Sequence, residues 1–68
     1  MSRLKAISLA ADIVGSKAEL ARAIRVDAAT ISKWFKESRE PTPEQAREIE
    51  RMTGGQIKRE WIRPDIFR

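Results

Sequence analysis

The sequence predicts an all-α fold, a small domain of five short helices with a helix-turn-helix near its middle. Three observations predict it. Residues 16–34, SKAELARAIRVDAATISKW, divide into two short apolar-striped segments around a tight turn, and helix start and stop signals recur along the whole chain. The C-terminal stretch, where a β-hairpin is the competing reading, contains Pro64, which cannot donate to a strand ladder.

Leu4, Ile7, Ala11 and Val14 recur at helical spacing, and Gly15 follows as a residue able to take positive φ, so the first helix runs from about Arg3 to Val14. Ser16 opens the second helix with Glu19 three residues later, a capping box, and that helix ends near Ile24. Leu20 and Ile24 form an apolar stripe that Val26, Ile31 and Trp34 continue beyond the turn, while Ala21 leaves room for the next helix to cross closely. Arg25 stands where such a turn commonly needs left-handed backbone, at a cost of about 1–2 kcal/mol for a residue with a side chain. Its charge offsets part of that at the helix C-terminus or on a phosphate.

Asp27 is the natural N-cap of the third helix, which extends to about Phe35 or Lys36. Residues 37–41 are polar, end in proline and read as a loop. Thr42 caps the fourth helix, with Pro43 at its first position and Gln45 closing a second capping box. Ala46, Ile49 and Met52 face inward, and Gly54 and Gly55 stop the helix. In the remaining QIKREWIRPDIFR, Ile57, Trp61 and Ile62 favour a one-turn helix from about Arg59 to Ile62 over the hairpin.

Composition bounds the function. At 68 residues the chain makes one domain, and folding at this size removes only about 60% of the unfolded surface from water, so the core is small. No run approaches the roughly 20 apolar residues of a membrane span and the N-terminal stretch is too weakly apolar for a signal peptide. The expected setting is the bacterial cytoplasm, at the nucleoid, with no membrane partner. There is no Cys, His or Tyr, which removes disulfides, thiolate chemistry and most zinc and haem ligation. The carboxylates and lysines that remain lie on solvent faces, with no pair in an apolar setting to tune a pKa. No enzyme, metal, cofactor or small-molecule ligand is therefore expected.

The net charge is +4, and residues 1–36 hold all of the excess: seven Lys or Arg against Asp12, Glu19 and Asp27, whereas the remaining residues balance. Positive charge concentrated on the helix-turn-helix half is the footprint of a polyanion such as duplex DNA. The outward positions of the third helix are Ala28, Ala29, Ser32 and Lys33, short or basic as a helix in a major groove requires. Lys33 suits guanine O6 or N7, Ser32 either purine, and the alanine methyls a thymine methyl. Asp27 caps the helix or, alternatively, accepts from cytosine N4. Ser16, Lys17, Arg22, Arg25, Lys36 and Arg39 are the candidate phosphate contacts.

Trp34 falls on the core face, and Phe35 lies between core and a partner surface. Trp61, Ile66 and Phe67 sit in a tail too short to bury three large side chains against its own domain, so the tail and the Pro41 loop are expected to form a weak two-fold dimer contact, made or strengthened on DNA.

Two segments, GSKAELARAIRVDAATISKW and IERMTGGQIKREWIRPD, in this order and spacing, resemble the Cro-type repressors of lambdoid phages and related prophage-encoded regulators, with the likeness running from about Ala10 onward. The resemblance implies a lambda-repressor-like or Cro-like domain, all-helical or in the family's mixed helix and β-ribbon form. It further implies a dimer on a near-palindromic operator, with transcriptional control of a lysis–lysogeny kind. Carried onto this chain, the base-reading positions fall on Asp27, Ala28, Ala29, Ser32 and Lys33, and backbone contacts on Ser16, Lys17, Arg22 and Lys36. Three positions depart from the pattern: Ala28 where many relatives have Gln, Arg25 for the usual turn Gly, and Lys58 where relatives often place a Thr cap. A protein-interaction module, antitoxin-like and using the same fold without reading bases, is the alternative from another functional class.

Overall fold

A computed structural model describes residues 1–67. Five helices follow one another: α1 (Arg3–Val14), α2 (Lys17–Ala23), α3 (Ala28–Phe35), α4 (Pro43–Met52) and α5 (Arg59–Ile62). No strand occurs among the described residues, and Arg59–Ile62 is helical, as the proline argument predicts. None of these helices is long and apolar enough to cross a membrane.

Local capping sets the boundaries. Ser2 Oγ accepts from the Lys5 N–H at 3.2 Å and starts α1. Thr42 and Gln45 close a complete capping box, with bonds of 2.9 and 3.1 Å and Pro43 just inside. Each such cap stabilises its helix by about 1 kcal/mol. The box expected at α2 is half made: Ser16 Oγ accepts from the Glu19 N–H, but the Glu19 carboxylate turns to the Arg22 guanidinium instead of the Ser16 amide. Asp27 occupies the N-cap position of α3 with extended backbone but its side chain makes no cap hydrogen bond, so its expected capping role is corrected to a purely positional one. Lys58 likewise gives α5 no side-chain cap. Glu50, reaching from α4, accepts from the Arg59 N–H at 2.9 Å and does that work from nine residues away.

The core joins α1 to α2 and α5, α2 to α3, and α4 to α5. Its large members are Ile7, Leu20, Ile31, Trp34, Ile49, Ile57 and Ile62. On α1 the fully buried residues are Ala6, Ile7, Ala10 and Ala11, whereas Leu4 and Val14 are only half-buried. The inward stripe is thus rotated from the one the larger side chains suggest. The reason is close approach: α1 packs on both α2 and α5, and alanines let two neighbours come near at once. Met52 is another correction, 37% exposed at the end of α4 where an inward side chain was expected. Thr53 takes the inward place beside it; its hydroxyl donates to the Ile49 carbonyl at 2.8 Å and accepts from the Ile57 N–H at 3.2 Å.

The tail also differs from expectation. Phe67 and Trp61 pack partly against the core, and the Phe67 ring lies 5.1 Å from the Arg47 guanidinium and 5.0 Å from that of Arg59. Pro41, expected at a dimer contact, is fully buried within the protomer and has no surface to offer a partner. Of the four residues expected at the dimer contact, Ile66 alone is exposed. The tail needs less core than expected because two arginine side chains cover the faces of Phe67 that apolar neighbours do not reach.

Candidate nucleic-acid interface

The turn between α2 and α3 is closed by backbone bonds alone. The Val26 N–H donates to the Ala21 carbonyl at 2.9 Å and the Arg25 N–H to the Arg22 carbonyl at 3.3 Å, the paired bonds of a Schellman motif. That motif needs left-handed backbone at the residue after the cap, and Arg25 has φ 61°. The expected conformation at Arg25 is therefore present, in a residue with a full side chain. Ala21, buried, sits beneath the point where α3 turns away.

α3 then divides cleanly by face. Ile31 and Trp34 are each 1% exposed and hold the helix to the core, while Asp27, Ala28, Ala29, Ser32 and Lys33 are all exposed. Eight helical residues span roughly 12 Å, about the width of a B-DNA major groove. Between Asp27 and Lys33 the exposed side chains are Ala28, Ala29 and Ser32, none longer than serine, so backbone can approach a surface closely along the first turn.

Exposed cations lie on α2, in the turn before α3 and in the segment after it. Lys17, Arg22, Arg25, Lys36 and Arg39 are exposed, as is Ser16. Ser16 Oγ already accepts from Glu19, which leaves its hydroxyl hydrogen free to donate. Lys17 Nζ rests 4.1 Å from the centroid of the Phe35 ring, so Phe35 is neither wholly core nor a free surface but a platform linking the start of α2 to the end of α3. Arg22 is partly committed, donating to Glu19 at 2.9 Å across an exposed pair. That pair is weak enough to open for a phosphate.

One feature of this region carries no signal in the sequence. α3 ends as α2 does: Ser38 N–H donates to Lys33 carbonyl and Glu37 N–H to Trp34 carbonyl, both at 3.1 Å, with Glu37 left-handed at φ 59°. Glutamate after a helix gives no cue for that geometry. Trp34, at the centre, keeps its indole N–H buried without a hydrogen-bond partner.

A five-helix domain that buries one side of its third helix and leaves the other open, with exposed cations on the segments before and after it, is a small helix-turn-helix protein. Residues 7–68 match the family described as Bacterial toxin YdaS, and the chain belongs to that family, one of small prophage-type proteins of helix-turn-helix kind. No curated protein and no solved structure matches it.

Proposed function

We propose that this chain is a sequence-specific regulator of transcription that binds double-stranded DNA and catalyses no reaction. Within its prophage-type family it acts as a Cro-type repressor on a near-palindromic operator. The open outer face of α3 carries this reading, because nothing in the protomer covers the residues that would meet base edges. α3 enters the major groove N-terminus first. Lys33 pairs with guanine, Ser32 with a neighbouring purine, and the Ala28 and Ala29 methyls lie against thymine. Asp27, released from capping, is available to accept from cytosine N4. Ser16, Lys17, Arg22, Arg25, Lys36 and Arg39 hold the phosphates that fix register. A weak homodimer spans the two half-sites, with Ile66 as the tail side chain free to contribute.

Selection of bound sites from a randomised duplex library, with affinities measured at two salt concentrations, tests this. Two related half-sites centred about one helical turn apart are expected. With four phosphates neutralised per protomer, by Lys17, Arg22, Lys36 and Arg39, log K falls against log salt with a slope of about −3.6. No enriched sequence together with a flat salt response rejects the proposal. The family's description as a toxin favours a second reading, a module whose target is another protein. That reading expects a stoichiometric protein partner whose binding is unaffected by Lys33→Ala.

A further inference from the structure

Beside the loop that leaves α3, four charged side chains from three separate stretches come together. Arg63, with 12% of its side chain exposed, donates from Nη1 to the Pro41 carbonyl at 2.7 Å. Its Nε and Nη2 donate to the two Asp65 carboxylate oxygens at 3.0 and 2.7 Å, and Nη2 lies 3.7 Å from Glu40. The other Glu40 oxygen is 3.2 Å from Arg3 Nη1, and Arg3 Nε donates to the Ile62 carbonyl at 2.7 Å. The first turn of α1, residues 40–41 and the segment after α5 are thus closed into one ring.

Arg39 sits between this ring and the Schellman closure at Glu37 and Ser38, so both flanks of an exposed cation are fixed. We propose that Arg63 is a positioning residue for DNA binding: through Glu40 and the Pro41 carbonyl it holds the loop so that Arg39 meets the phosphate backbone beside the end of α3. The inference rests on the DNA-binding reading above. An arginine is needed because its planar fork serves Asp65 with two parallel bonds while its remaining nitrogen reaches the Pro41 carbonyl, a set that a lysine point charge does not reproduce. Holding the loop in advance removes ordering entropy that would otherwise oppose binding.

The test compares the wild type, Arg39→Ala, Arg63→Lys, Arg63→Gln and the double variant Arg39→Ala/Arg63→Lys on the selected operator at several salt concentrations. Each is first shown by circular dichroism to be folded at the assay temperature. Arg39→Ala is expected to weaken binding about five-fold and to reduce the salt slope by about 0.9. Arg63→Lys, which keeps the charge, is expected to produce the same loss and the same change of slope, and the double variant to lose nothing more. Arg63→Gln covers the case in which the lysine variant does not fold, and amide exchange at residues 38–40 is expected to rise in either variant while that of α4 does not. Wild-type affinity and slope in a folded Arg63 variant overturn the inference alone, as does a loss that adds to that of Arg39→Ala. A wild-type chain with no selective duplex binding overturns the DNA-binding reading, and the inference falls with it.

Discussion

α2 and α3 close with the same backbone motif as α4, yet with opposite choices of residue. α4 ends on Thr53, and its left-handed position is Gly54, φ 62°, with the Gly55 N–H donating to Glu50 at 2.8 Å and the Gly54 N–H to Arg51 at 3.1 Å. In the helix-turn-helix half the equivalent positions are Arg25 and Glu37, which carry the penalty that glycine avoids. Both bracket α3. The half of the chain that faces outward therefore keeps strained, charged residues at its turns, while the half that supports it uses the residue best suited to the geometry. Glycine would relieve the backbone in all three places, so Arg25 and Glu37 are strained positions that flank α3.

Four measurements would break or sharpen that contrast. The largest effect belongs to the core that both halves share: Trp34→Ala is expected to cost about 3–5 kcal/mol, read as chemical unfolding. Trp34→Phe should cost much less, because it keeps a large aromatic ring in the core while removing the indole N–H that is buried without a partner; a loss as large as that of Trp34→Ala would show that ring volume is not what the site requires. Lys33→Ala comes next, with about 1–3 kcal/mol lost in operator binding and relaxed preference at one base position, while the melting temperature stays nearly constant. Arg51→Ala, on the supporting half, should leave binding almost untouched.

The turns themselves should respond in opposite directions. Arg25→Gly and Glu37→Gly are each expected to stabilise the fold by about 1 kcal/mol, raising the melting temperature by roughly 4–8 °C in a domain of this size. Gly54→Ala should lower it by a similar amount. A Cβ at Gly54 meets nothing within 4 Å, so that change isolates backbone strain from packing. DNA binding should weaken in Arg25→Gly despite the added stability. A fall in melting temperature for Arg25→Gly would remove the contrast altogether.

The smallest effect is one of pH. The Arg63 guanidinium, by its hydrogen bonds first and its charge second, holds the Asp65 carboxyl at about 2, well below its ordinary 3.8, while Arg63 itself is raised further by the same bonds. A carboxyl whose pKa is depressed on folding contributes stability above its unfolded value and loses it as the pH falls through the folded one. Acid unfolding should therefore show a component between about pH 4 and pH 2 that is absent in Asp65→Asn. Asp65 is exposed, so the difference between the two curves is small and shrinks further in salt.

Helix boundaries were legible because caps are local. Thr42 with Gln45, Ser16 with Glu19, and the left-handed turn at Arg25 all act within a few residues of themselves, and the starts of α2 and α4 and the turn into α3 follow from them. Among the site residues, the exposed set 27–29, 32 and 33 follows from helical periodicity once Ile31 and Trp34 are placed inward. What escaped prediction has partners far along the chain. Glu50 capping α5, Arg63 reaching Pro41, and Phe67 between Arg47 and Arg59 join residues separated by eight to 22 positions, where no periodicity marks the pair. Asp27 reads as a cap from composition, yet its side chain is left unused.

The order of side chains alone determined where the capped helices α1, α2 and α4 begin, which face of α3 is buried, and where positive charge gathers. These depend on interactions within one or two turns, whose geometry is the same in any fold. The tertiary structure alone decided the rotated inner face of α1, the burial of Pro41 and the ring of charges that ties the tail to the loop after α3. Each arises from chain segments meeting in space, and such meetings are chosen by the packing of the whole domain.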